Sequence, residues 1–144
     1  MADVLIYSYE TDGSMLPMHW YCKVYQSGRV IYGKQYRFDD KPVFKKEIVL
    51  AKDEIKKIEA IIDRHSQLFS VKSVEGSDVC LVLDGSTQTI SFSDGQRKNS
   101  LKVDDLWMWE KNDLSKMPNM QSLIALRNDI QKILINAGID DEYC

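Results

Sequence analysis

The stretch His19-Trp20-Tyr21-Cys22-Lys23-Val24-Tyr25-Gln26-Ser27-Gly28-Arg29-Val30-Ile31-Tyr32-Gly33-Lys34-Gln35-Tyr36-Arg37-Phe38 decides the fold, because a turn signal separates two runs of alternating character. A two-residue loop at Ser27 and Gly28 predicts the pairs Tyr25 with Val30, Lys23 with Tyr32, Tyr21 with Lys34 and His19 with Tyr36. Paired side chains share a face. His19, Tyr21, Lys23, Tyr25, Tyr32, Lys34 and Tyr36 are therefore expected on one side of the sheet, with Trp20, Cys22, Val24 and Ile31 on the other as core.

Outward from the hairpin, Val4 to Glu10 reads as a first strand, and Val43 to Leu50 as a further strand beyond the Asp39-Asp40-Lys41-Pro42 turn. At Lys52 the period becomes helical. Ile55, Ile58, Ile61 and Ile62 form one stripe that Leu68 and Phe69 extend, and Asp53 and Glu54 suit the helix N-terminus although Ala51 is a poor cap. Asp84-Gly85 and Asp94-Gly95 are turn signals around a strand from Thr87 to Ser93. A loop at Asp84-Gly85 would place Val79, Leu81, Leu83, Ile90 and Phe92 on an inward face, with Cys80, Val82, Thr87, Thr89 and Ser91 on the other. A last helix from Asn119 to Ala137 carries Leu123, Leu126, Ile130, Ile133, Leu134 and Ala137 on one stripe. Pro118 stands at its start, and Gly138 with Ile139 at its end fits a Schellman stop.

Two amphipathic helices need an apolar surface to cover, and hairpins with one apolar face supply it. The expected fold class is α+β: a two-layer sandwich whose largely antiparallel sheet of about six strands carries two helices on one face. No repeat or linker divides the chain, so residues 1–144 are expected to form a single domain.

With 44% hydrophobic and 28% charged residues, neither a disordered nor a fibrous chain is indicated. No apolar run is long enough to cross a bilayer, and Met-Ala-Asp-Val-Leu-Ile at the start shows no basic region followed by a long apolar stretch, so a cytoplasmic protein without a membrane partner is expected. Cys22, Cys80 and Cys144 match neither a disulfide framework nor a zinc ligand set. They read as reduced thiols, the first two in the core and Cys144 exposed. Charge is distributed unevenly. His19 to Lys46 holds seven basic and two acidic residues, whereas Asn99 to Cys144 holds five basic and eight acidic ones. Such a chain can steer partners or complement itself internally.

Two constellations suggest binding. In Asp104-Asp105-Leu106-Trp107-Met108-Trp109-Glu110-Lys111-Asn112-Asp113, an extended backbone puts Trp107 and Trp109 on one side, framed by Asp104, Asp105, Glu110 and Asp113. Tryptophan anchors with an acidic rim suit a basic protein partner, with Asp140, Asp141 and Glu142 as possible helpers, although packing of a tryptophan in its own core competes with this. The second constellation is the tyrosine and lysine sheet face, which suits unpaired bases or a protein, against the plainer reading of a solvated face rich in good strand formers. Chemistry is thinly supported. His19 and His65 are the only histidines; His65 suits a helix C-terminus as a cation, and Cys22 lies on the opposite strand face from His19. No catalytic set, metal site, phosphate cradle or cofactor is expected. The expectation is a non-enzymatic protein-binding module of inhibitor or immunity type that masks a basic partner; the alternative is single-stranded nucleic-acid binding through the sheet. An exposed edge strand would also allow dimerisation.

Overall fold

The computed structural model describes residues 3–13, 17–39, 41–76 and 85–144. The strands β1 (Leu5–Gly13), β2 (Met18–Tyr25), β3 (Arg29–Tyr36) and β4 (Pro42–Val49) come first, followed by α1 (Lys52–Arg64) and a 3-10 turn (Ser66–Ser70). Then come β5 (Ser86–Ser93), β6 (Lys98–Asp104), a single helical turn α2 (Leu106–Trp109) and α3 (Pro118–Asn136). The strands form one six-stranded antiparallel sheet in the order β4-β3-β2-β1-β5-β6, so the architecture is the α+β sandwich. β1 lies inside the sheet because β5 returns along its free side. Among the described residues no helix is long and apolar enough to cross a membrane.

The first hairpin is shifted by one residue from the sequence expectation. Val24 pairs with Val30, Cys22 with Tyr32, Trp20 with Lys34 and His19 with Gln35. A two-residue type I′ turn needs positive φ at both central residues, and here Gly28 has φ +100° while Ser27 is not in that region. Gln26 therefore joins the loop, and a three-residue loop with a left-handed glycine at its end shifts the register. The parity of β2 stands, with Cys22 and Val24 fully buried. That of β3 is reversed. Tyr32, Lys34 and Tyr36 move to the helical side with Trp20, while Ile31, Gly33 and Gln35 join His19, Tyr21 and Lys23 on the open side. The seven-residue tyrosine and lysine face is thus divided between the two sides of the sheet.

The strand expected from Val79 to Leu83, with its hairpin through Asp84, lies outside the described residues. β5 instead forms a hairpin with β6 through the Asp94-Gly95 turn, where the Asp94 carboxylate accepts the backbone N–H groups of Gln96 (3.0 Å) and Arg97 (2.6 Å). β6 offers only Leu101 and Val103 to the core between polar residues, a weak strand signature. Ile90 and Phe92 face inward as expected.

Helix α1 buries Ile55, Ile58, Ile61 and Ile62, and Glu54 accepts the Ala51 N–H at 3.0 Å in place of a side-chain cap from Ala51. At the start of α3 the Glu75 carboxylate accepts the Met120 N–H at 2.9 Å, satisfying an orphan donor from outside the helix. That helix ends in the expected Schellman motif: Gly138 has φ +104°, and the Ile139 N–H donates to the Leu134 carbonyl at 3.1 Å.

Beyond this stop the chain turns onto the helical side of β2–β4. Tyr143 stacks on Phe44 (ring centroids 5.4 Å apart) and packs against Tyr32 (5.3 Å). Glu142 accepts hydrogen bonds from Trp20 Nε1 and Lys34 Nζ, each at 3.0 Å. Cys144, expected to be exposed, is fully buried, and burial pushes its thiol up to about 11. The physical reason is the register: with Tyr32 and Lys34 on the helical side, a part of the sheet that α1 and α3 leave uncovered needs apolar cover and a carboxylate. Replacing Tyr143 with alanine is expected to cost about 3 kcal/mol in urea denaturation, whereas Glu142→Gln, which removes a half-exposed ion pair, should cost less than about 1 kcal/mol.

Candidate partner-binding surfaces

The acidic tryptophan segment is not extended. After β6 the backbone of Asp105 turns into the left-handed region (φ 53°, ψ 51°), which Asp tolerates better than most residues, and α2 begins. Residues two apart on a helix diverge by about 200°. Trp107 accordingly points to solvent (52% exposed) and Trp109 into the core (7%), against Gly76. The shared tryptophan side of the sequence reading does not form.

Asp105 is itself buried (1% exposed), where its Oδ1 accepts the Ser86 N–H at 2.9 Å and its own N–H donates to the Ser86 carbonyl at 2.7 Å. Gly85 permits this approach, because a Cβ there would lie 1.9 Å from Asp105 Oδ1. Buried Gln88 accepts the Leu106 N–H at 2.8 Å and holds the start of the turn. Asp104 accepts from Thr87 Oγ1 (2.6 Å), Glu110 pairs with Arg127 (3.2 Å) and Asp113 accepts the Ser115 N–H (3.0 Å). Trp107, Glu110 and Asp113 thus remain on the surface, while Asp105 and Trp109 serve the fold.

On the open side of the sheet, His19 stands between two carboxylates, with Nε2 3.2 Å from Glu10 and Nδ1 2.8 Å from Asp12. Neighbouring Tyr21 lies over Gly33, where a Cβ would come within 2.9 Å of its hydroxyl, and Lys23 sits 5.8 Å from the Tyr21 ring centroid. A shallow hollow of about 250 Å³ lies among His19, Tyr21, Lys23, Tyr25, Gln35 and Lys45. Toward β5 and β6 this side becomes hydroxyl-rich, with Ser8 opposite Ser91 and Ser91 opposite Ser100.

The third surface was not singled out by sequence. β4 is an edge strand exposed along all its length except Ile48. Of the nine exposed large apolar residues among those described, five lie on it or on the adjoining end of β3: Tyr36, Phe38, Val43, Phe44 and Val49, with Phe38 and Val49 three-quarters exposed. Tyr36 and Phe38 stack at 5.2 Å. The signal lay in Val43-Phe44-Lys45-Lys46-Glu47-Ile48-Val49, which reads as a strand, but edge position follows from topology alone.

His65 also departs from expectation. Its Nδ1 lies 2.6 Å from Ser122 Oγ, to which Gln67 Nε2 also donates at 2.7 Å, and desolvation, aided by Arg64, lowers its pKa. Burial thus disfavours the imidazolium form, and the ring joins the end of α1 to α3 through Ser122. Ser122 is far from His65 in sequence, so no local pattern announces the contact. No protein-family model matches this chain, and no curated protein matches its sequence.

Two outcomes follow from this geometry. Asp105→Ala strands the Ser86 N–H and is expected to cost about 1–3 kcal/mol, while Asp105→Asn keeps the acceptor oxygen and the left-handed preference and should cost clearly less; chemical denaturation followed by tryptophan fluorescence separates them. The hydrogen bond to Glu10, then against desolvation that to Asp12, raises the pKa of His19, and the His19 hydrogen bond lowers that of Glu10. The His19 contribution to stability is therefore present below the unfolded value of about 6.5 and lost as pH rises through the raised value; that of Glu10 is present above about 4.3 and lost as pH falls through the lowered one. A denaturant-midpoint profile should show this window, and His19→Gln should flatten its alkaline side.

Proposed function

We propose that this chain is a non-enzymatic, cytosolic protein-binding module that takes an extended segment of a partner along the free edge of β4. The observation that supports this reading is the concentration of exposed apolar side chains on and beside that edge, since monomeric surfaces rarely gather such residues without use. An unpaired strand edge offers main-chain hydrogen bonds for affinity, and side chains on both faces give specificity. The Leu50 N–H donates to the Gly28 carbonyl at 2.7 Å, so even-numbered residues bond toward β3 and the N–H and C=O groups of Lys45, Glu47 and Val49 point to the free side. Lys41, Lys45 and Lys46 surround this edge and favour a partner strand with acidic residues.

Exposure of Trp107, with Glu110 and Asp113 near it in the chain and Lys111 Nζ 5.4 Å from its ring centroid, favours a second protein surface, one of the inhibitor or immunity type that masks a basic partner. Single-stranded nucleic acid has less in its favour. His19, Tyr21, Lys23 and Tyr25 share the open face, but Glu10 and Asp12 stand beside His19 and repel phosphates.

Affinity capture from native lysate with three baits tests these readings. Glu47→Pro removes an outward N–H at an edge position where proline is tolerated. A partner held by the wild type and by Trp107→Ala, but lost with Glu47→Pro, supports the edge. The opposite pattern supports the tryptophan surface; retention of nothing beyond what an unrelated protein of equal charge retains overturns the tryptophan surface, and overturns the edge as well when Glu47→Pro leaves self-association unchanged.

A further inference from the structure

We infer that the occupant of the β4 edge is β4 of a second copy, paired antiparallel about a two-fold axis through Lys46, so that two sheets join into one of twelve strands. This rests on the reading of β4 as a binding edge and names its partner. Because the backbone groups of Lys45, Glu47 and Val49 point outward, a symmetric antiparallel pairing must set odd residues opposite odd ones. Three registers centre on the middle of the strand. Centring on Lys45 sets that lysine against itself at a hydrogen-bonded position, and centring on Glu47 does the same for the glutamate.

Centring on Lys46 gives a different result. Lys45 of each copy then lies opposite Glu47 of the other, forming two ion pairs on the open side of the sheet. On the helical side Phe44 meets Ile48 twice. The strand is complementary to itself in charge and in apolar surface. Only Lys46 meets its own copy, at a position that makes no hydrogen bond across the new seam.

Lysines on an edge normally discourage indiscriminate strand addition, and Pro42 at the start of β4 adds to that. A strand that presents glutamate to Lys45 and lysine to Glu47 cancels this repulsion, and β4 is such a strand. Arg29 already pairs with Glu47 at 2.5 Å, but both side chains are about half exposed, which leaves a carboxylate oxygen for a lysine from the other copy. Two copies joined in this way keep their helical layers on the same side, because a two-fold axis perpendicular to the sheet does not exchange its faces.

Sedimentation equilibrium over a wide concentration range provides the test. The wild type should form a reversible dimer that weakens with salt, and Lys46→Thr should tighten it by removing the repulsion on the axis. Glu47→Lys and Lys45→Glu should each weaken it at least about tenfold. An equimolar mixture of the two single variants should dimerise, and Lys45→Glu combined with Glu47→Lys in one chain should restore the homodimer. Far-UV circular dichroism verifies the fold of each variant. A wild type that stays monomeric, or single variants that dimerise as well as the wild type, overturns self-pairing. If that monomer still holds a lysate partner that Glu47→Pro loses, only the identity of the occupant is wrong. If the edge variant changes neither capture nor self-association, the binding edge itself is wrong.

Discussion

Gly28 sets the arrangement on which the rest of the molecule depends. It adopts φ +100° and sits so near Leu50 that a Cβ would lie 2.6 Å from the Leu50 carbonyl oxygen, while its own carbonyl accepts the Leu50 N–H. One residue thus closes the β2–β3 loop and aligns the end of β4. It also determines which side of β3 faces the helices, because side chains alternate and a shift of one residue exchanges the two faces. Asp3 reinforces the loop by accepting the N–H and hydroxyl of Ser27.

Once Tyr32 and Lys34 face the helical layer, part of the charge asymmetry along the chain resolves inside one molecule. Lys34 meets Glu142, Trp20 donates to the same carboxylate, and Tyr143 covers Tyr32. These two hydrogen bonds donated to its carboxylate lower the pKa of Glu142, Lys34 acting first and Trp20 second. The acidic end of the chain is in part the cover of its own basic sheet, and what remains for partners is the surface that this closure leaves out.

The short segment after β6 applies the same logic on a smaller scale. A left-handed aspartate whose carboxylate reaches back to Ser86 turns the chain within one residue, sending Leu106 and Trp109 inward and Trp107 outward. Composition marked the segment as a cluster of anchors and acids, and composition alone cannot distinguish an extended run from a helical turn. The contacts that choose the turn, at Gly85, Ser86 and Gln88, lie on another strand.

Periodic patterns made α1, the stripe of α3, its Schellman stop, the parity of β2 and the inward set of β5 legible in the sequence, because each follows from spacing within a single element. Turn chemistry was legible only in outline: Ser27-Gly28 announced a hairpin, but whether Gln26 joined the loop depended on the φ that Ser27 could adopt. Edge position of β4, pairing of β1 with β5, burial of Cys144 and the His65 to Ser122 contact were decided by tertiary structure alone. The physical reason is separation: each depends on residues far apart in the chain meeting in a packed interior, and local periodicity carries no record of which distant surface will arrive to cover it.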